Sequence, residues 1–168
     1  MTNLKKIIFV IENITLKVGR TTSWLILFMT LIAFSVALLR YFFNIGFVWM
    51  QESYIWMHGL VFLLGSAYTL LDDKHVRVDI FYDKFSIKTK AIIQIITILF
   101  FVIPLSTLIV VEGLPFVEMS FLQNESSGDP GGLCCRWIIK SSMVVGFLVV
   151  LIQSITELKK AYIKLKGN

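Results

Sequence analysis

The chain has 168 residues, 57% of them hydrophobic and 16% charged, with a formal net charge of +5; an ordinary soluble domain is roughly 45 to 50% apolar and about 25% charged. A soluble core of this length cannot hide several uninterrupted apolar runs, each near the ~20 residues that cross a bilayer, so a water-soluble domain is excluded. The excess Lys and Arg flank those runs, which makes them topology signals and contacts to membrane lipids and argues against a nucleic-acid partner.

In chain order, Leu4, Ile7, Ile8, Ile11, Ile14 and Val18 fall on one helical stripe, with Lys5, Lys6, Asn13, Lys17 and Arg20 away from it. This predicts an amphipathic helix over 3–20 lying flat on the inner membrane face. Phe9 and Leu16 interrupt its polar side, which leaves contact with protein open. The scattered charges lack the layout of a signal peptide, so the segment is expected to be retained. Span 1 is read over 21–40, and its residues 21–39 carry no charge, about 28 Å of helix. Asn44 and Gly46 supply the reversal before span 2 over 47–71.

A charged stretch over 72–90 reads as a cytoplasmic loop, and span 3 follows over 91–111, kinked at Pro104. The breakers between 112 and 132 read as an outer, periplasmic loop with room for a short interfacial helix over 114–122. Span 4 is placed over 133–156, and 157–168 forms a basic cytoplasmic tail containing Lys159, Lys160, Lys164 and Lys166. Basic residues concentrate in the N-terminal segment, the 72–90 loop and the tail, with Arg136 and Lys140 as exceptions. The fold class is therefore an all-α integral membrane protein with four transmembrane helices, both termini cytoplasmic, preceded by an amphipathic interfacial helix.

Ionisable groups inside a membrane are costly, so Glu52, His58, Arg136 and Lys140 are the positions to weigh. Arg40, Glu52, Arg136 and Lys140 are expected near the outer face. Arg136 and Lys140 share a side of a helix and repel unless a partner intervenes, and Glu52 has the depth to be that partner. Such a group is either an ion site or a charge cluster that locks spans or a subunit interface together. Trp49 and Trp137 suit an interfacial belt, and Gly59, Gly65, Ser66 and Ala67 offer a small-residue surface for helix packing. The adjacent Cys134 and Cys135 cannot staple distant parts of a fold. No metal-ligand spacing, nucleophile motif, phosphate loop or repeated half is present in the sequence, so neither a catalytic, substrate-binding nor metal residue is assigned and no cofactor is expected.

Arg40, Trp49, Glu52, Gly65 and the run His75-Val76-Arg77-Val78-Asp79, followed in span 4 by Trp137-Ile138-Ile139-Lys140 and Gly146-Phe147, resemble the small membrane subunits of tripartite ATP-independent periplasmic (TRAP) transporters, the DctQ-like and SiaQ-like proteins. The resemblance covers most of the chain from span 1 onward, and it is to the separate small subunits, not to versions fused to the large one. It implies a heterodimer with a large multi-span permease subunit in a bacterial cell inner membrane. A periplasmic substrate-binding protein would feed the pair, and sodium would drive it. The cargo would be an organic acid anion, sialic acid first and a C4-dicarboxylate next, and the small subunit would be a non-catalytic scaffold. Two other readings stay open: a self-contained proton-coupled transporter using Glu52, and a membrane thiol oxidoreductase using Cys134 and Cys135.

Overall fold

A computed structural model describes residues 3–71 and 85–166, with side chains from residue 8 onward. Helices α1 (Asn3–Phe43), α2 (Val48–Leu71), α3 (Ile87–Thr97), α4 (Ile103–Leu122) and α5 (Trp137–Lys166) are joined, between α3 and α4, by a π-helical turn over Ile98–Val102. No strand occurs among the described residues. Four stretches, Ile8–Phe43, Val48–Leu71, Ile87–Leu122 and Trp137–Lys166, are long and apolar enough to cross a membrane. In a bilayer no water satisfies the backbone, so every such stretch closes its own hydrogen bonds as a helix.

Several expected boundaries move. The amphipathic segment over 3–20 is not a separate surface helix: α1 runs unbroken for 41 residues, roughly 60 Å at ~1.5 Å per residue. The expected loop over 112–132 is helical as far as Leu122, with Gly113 and Pro115 inside α4. In lipid these weak helix formers have no alternative partner for their neighbours' backbone groups, and the helix persists through them. Residues 133–136, by contrast, belong to the connection, and α5 carries on through the expected tail to Lys166.

The helices form an open row and not a closed bundle. α1 packs on α2 and, over a smaller contact, on α5; α2 also packs on α5, and α5 on both α3 and α4. α5 is the shared neighbour: 28% of its most apolar window is buried, against 6 to 11% for the other three spans. Large apolar side chains such as Phe28, Phe34, Phe62, Phe100 and Phe101 point outwards, as suits a surface solvated by lipid.

Small residues carry the helix contacts, because lipid tails are as apolar as Leu and close backbone approach is what distinguishes a protein neighbour. A Cβ at Gly146 would lie 2.9 Å from the Leu63 carbonyl oxygen, and one at Gly113 would lie 2.8 Å from Val144. Along α3 and α4 the residues buried against α5 are Ala91, Ile98, Ser106, Gly113 and Ser120. They recur every seventh position except across the π turn, where Ile98 and Ser106 are eight apart. The wide turn, closed by the Ile103 N–H on the Ile98 carbonyl, absorbs the extra residue and keeps the stripe on one face. It also lies just before Pro104, which has no N–H to give to the preceding turn.

The buried polar groups are Thr and Ser together with Gln153 and Glu157. Most hydroxyls donate into their own helix, Thr22 to the Val18 carbonyl at 2.7 Å and Ser154 to that of Leu151 at 2.7 Å. Those hydroxyls allow close packing with their donors satisfied, whereas the Ser120 hydroxyl is buried without a hydrogen-bond partner.

Candidate functional site

Two polar clusters stand towards opposite ends of α5. The first gathers on the segment between α4 and α5. After Leu122 the chain leaves the helix through Asn124, whose φ of 47° lies in the left-handed region, where Asn is tolerated better than most residues. The segment then bonds to itself. Ser127 N–H donates to the Leu133 carbonyl at 2.9 Å, Gly132 N–H to that of Asp129 at 3.1 Å, and Arg136 N–H to that of Glu125 at 2.9 Å.

Glu52, one turn into α2, closes this segment from the side. Its carboxylate accepts the Ser127 hydroxyl and, at 2.5 Å, the Leu133 backbone N–H. The approach depends on Gly132, since a Cβ there would lie 2.8 Å from the Glu52 Oε2. Arg136 acts on Glu52 through space, without a direct ion pair.

Lys140 has a different partner from the one the sequence suggested. Its ammonium bonds the Glu125 carboxylate and lies 3.9 Å from the centre of the Phe116 ring. Glu52 is committed to the loop amide and hydroxyl, and Glu125, placed by its backbone bond to Ser120, is the acid that faces α5. The bonded Lys140 holds the Glu125 carboxyl below the usual carboxylate range, with Arg136 adding to the effect through space. Trp137 completes the corner, meeting Phe121 edge to face at 5.4 Å.

The remaining predicted positions lie apart from this centre. Arg40 is exposed in the last turn of α1 and makes no ion pair with Glu52. Trp49 is 48% exposed and stacks obliquely on Phe47 at 6.1 Å. His58 is on the exposed side of α2. Gly65 lines an open groove between α1 and α2, with nothing within 4 Å of the Cβ it lacks. His75 and Asp79 fall outside the described residues. Cys134 and Cys135 are free thiols in the α4–α5 connection, with sulfurs 3.3 Å apart. The hydrogen bond to Cys134 and partial burial push the Cys135 thiol up.

The second cluster was not foreseen. Thr15 of α1 donates to Gln153 of α5 at 3.1 Å, Gln153 donates to Glu157 at 3.1 Å, and Lys160 joins Glu157 at 2.7 Å to Glu12 at 2.5 Å. Gln153 and Thr15 are almost fully buried. The available signal was the spacing of Gln153, Glu157 and Lys160 on one helical side, obscured by reading 157–168 as a free tail. For Glu125 and Ser127 no local signal existed, since both sit among turn formers.

Chemically, both clusters satisfy carboxylates with side-chain donors, and Glu52 also with a backbone N–H, tying the α4–α5 connection to α2 and α5 in the first cluster and α1 to α5 in the second. Among the described residues no group of three or more His, Cys, Asp or Glu side chains is placed to hold a metal. In comparisons with known proteins, the family described as "Tripartite ATP-independent periplasmic transporters, DctQ component" matches residues 29–162. No curated protein matches the chain.

Proposed function

The chain belongs to the family of DctQ components of tripartite ATP-independent periplasmic transporters, and from that premise we propose that it is the small, non-catalytic subunit that scaffolds the large permease subunit. It is a multi-pass membrane protein of a transport system. The scaffold reading places it in a bacterial inner membrane with both termini cytoplasmic, paired one to one with the permease and served by a periplasmic substrate-binding protein. Uptake would be sodium-coupled. Sialic acid is the first choice of cargo and a C4-dicarboxylate the second.

The observation that carries the scaffold role is the engagement of Glu52 by Ser127 and the Leu133 amide. A carboxylate that relays a proton or ion must exchange its partners during turnover, whereas one that holds two donors of a neighbouring loop works as a clamp. Positioning α2 against the α4–α5 connection is what a rigid platform for a moving partner requires. This weighs against the proton-coupled transporter built on Glu52. The thiol oxidoreductase reading retains only the adjacent cysteines, without the separate exchanging pair such chemistry employs.

Purification from the native membrane in mild detergent tests the reading. A permease of many spans co-purifying in equal amount is the expected result. The chain alone, reconstituted in vesicles and taking up an acidic sugar in response to sodium, would overturn it.

A further inference from the structure

Cys134 and Cys135 lie where two loop anchors meet. Leu133, immediately before them, gives its N–H to Glu52, and Arg136, immediately after, gives its N–H to the Glu125 carbonyl. Cys134 is exposed, Cys135 is half-buried, both are free, and their sulfurs are 3.3 Å apart. Cys135 also holds a φ of 63°. That left-handed conformation is unfavourable for a residue with a Cβ, and strain of this kind is retained where the surroundings enforce it.

We propose that Cys134 and Cys135 form a redox-modification site, a vicinal dithiol that a small disulfide-bearing oxidant converts reversibly into a cyclic disulfide. The exposed Cys134 loses its proton and attacks one sulfur of the oxidant. The oxidant's S–S bond breaks, one thiolate leaves and takes up a proton, and a mixed disulfide remains on Cys134. Cys135 then loses its proton and attacks the Cys134 sulfur, expelling the second thiolate, which is protonated in turn. The two cysteines together give up two electrons and two protons, and the oxidant is reduced to two thiols.

Closure requires the sulfurs to approach from 3.3 Å to about 2.05 Å. Neighbouring Cα atoms are about 3.8 Å apart, inside the usual lower limit of about 4.4 Å for a disulfide, so the ring is strained. Strained, exposed disulfides are the readily reduced ones, which makes this a reversible site and not a structural staple. The backbone adjustment falls on the Leu133 and Arg136 amides, so oxidation loosens the hold of Glu52 and Glu125 on the connection. This inference is independent of the transporter reading.

The test treats the purified full-length chain in detergent micelles with oxidised glutathione and follows intact mass, maleimide labelling and amide exchange. The expected product has lost two hydrogens, carries no adduct and has no labelled thiol at 134 or 135. Dithiothreitol restores both thiols, and the Leu133 and Arg136 amides exchange faster in the oxidised form. The Cys134→Ser variant forms no ring. Stable glutathione adducts on the wild-type chain, unreacted thiols that oxidise only after denaturation, or ring closure without faster exchange at Leu133 and Arg136 would each overturn the proposal.

Discussion

The Glu52 carboxylate accepts the Leu133 backbone N–H at 2.5 Å although the two residues are 81 positions apart in sequence. One helix thereby holds the entrance to another. The contact joins α2 to the connection that launches α5, the helix against which both α2 and α4 pack.

Removing the acceptor frees that connection. In Glu52→Ala the Leu133 amide and the Ser127 hydroxyl lose their common partner. Amide exchange at Leu133 is expected to accelerate and protease cleavage between 123 and 136 to increase, while α1 exchange stays as it was. Glu52→Gln, which keeps an acceptor but loses the charge, falls between the two. Unchanged exchange at Leu133 in Glu52→Ala contradicts the clamp.

Acid acts on the second anchor. The Glu125 carboxyl titrates below its ordinary range because Lys140 is bonded to it. A carboxylate with a depressed folded pKa stabilises the fold fully above its unfolded value, and that contribution disappears as pH falls through the folded one. Thermal stability in detergent should decline over this acidic window. Lys140→Met should be less stable at neutral pH and should lose much of the acid sensitivity. Lys140→Glu should weaken assembly with the permease more than it alters sodium dependence, and paired reversal with Glu125→Lys should recover part of the loss. An acid profile identical in Lys140→Met would remove Glu125 as its cause.

Glycines at two positions of the row should respond oppositely. Gly146→Val drives a side chain into the Leu63 carbonyl region, where even a Cβ would lie 2.9 Å away, and overpacking of this kind costs about 1–3 kcal/mol. Gly65→Ala enters open space and replaces a poor helix former, so the isolated chain should gain up to ~1 kcal/mol. Unfolding of the purified chain in mixed micelles measures both. If Gly65→Ala nonetheless lowers recovery of the permease, the groove it lines is where that partner packs.

Register provides the last prediction. Deleting Phe100 shortens the π turn by its extra residue and restores sevenfold spacing between Ile98 and Ser106, so α3 and α4 should both stay seated on α5. Deleting Ile109 inside α4 rotates Gly113 and Ser120 by about 100° relative to Ser106 and should abolish stable folding. Equal tolerance of the two deletions, measured as yield and thermal midpoint, would show that the stripe does not set the register.

Four apolar runs were legible in the sequence because a bilayer imposes one solution on each of them: about twenty apolar residues with all backbone hydrogen bonds closed locally. The family was legible as a resemblance carried by Arg40, Trp49, Glu52, Gly65 and the Trp137 to Lys140 stretch, and the family match over residues 29–162 agrees with it. Helix ends were not. Gly113 and Pro115 read as loop formers by the rules of water, and only the surrounding helix row and lipid make them part of α4. The partner of each charge was equally out of reach. Glu52 and Glu125 are both acids near one membrane face, and which of them meets Lys140 depends on a turn built from Asn124 to Arg136 and on the α4–α5 packing beneath it. The sequence determined the solvent and the spans through local composition, whereas long-range pairing was decided by tertiary structure, because a side chain's neighbour across 81 residues follows from how helices pack and not from what flanks it.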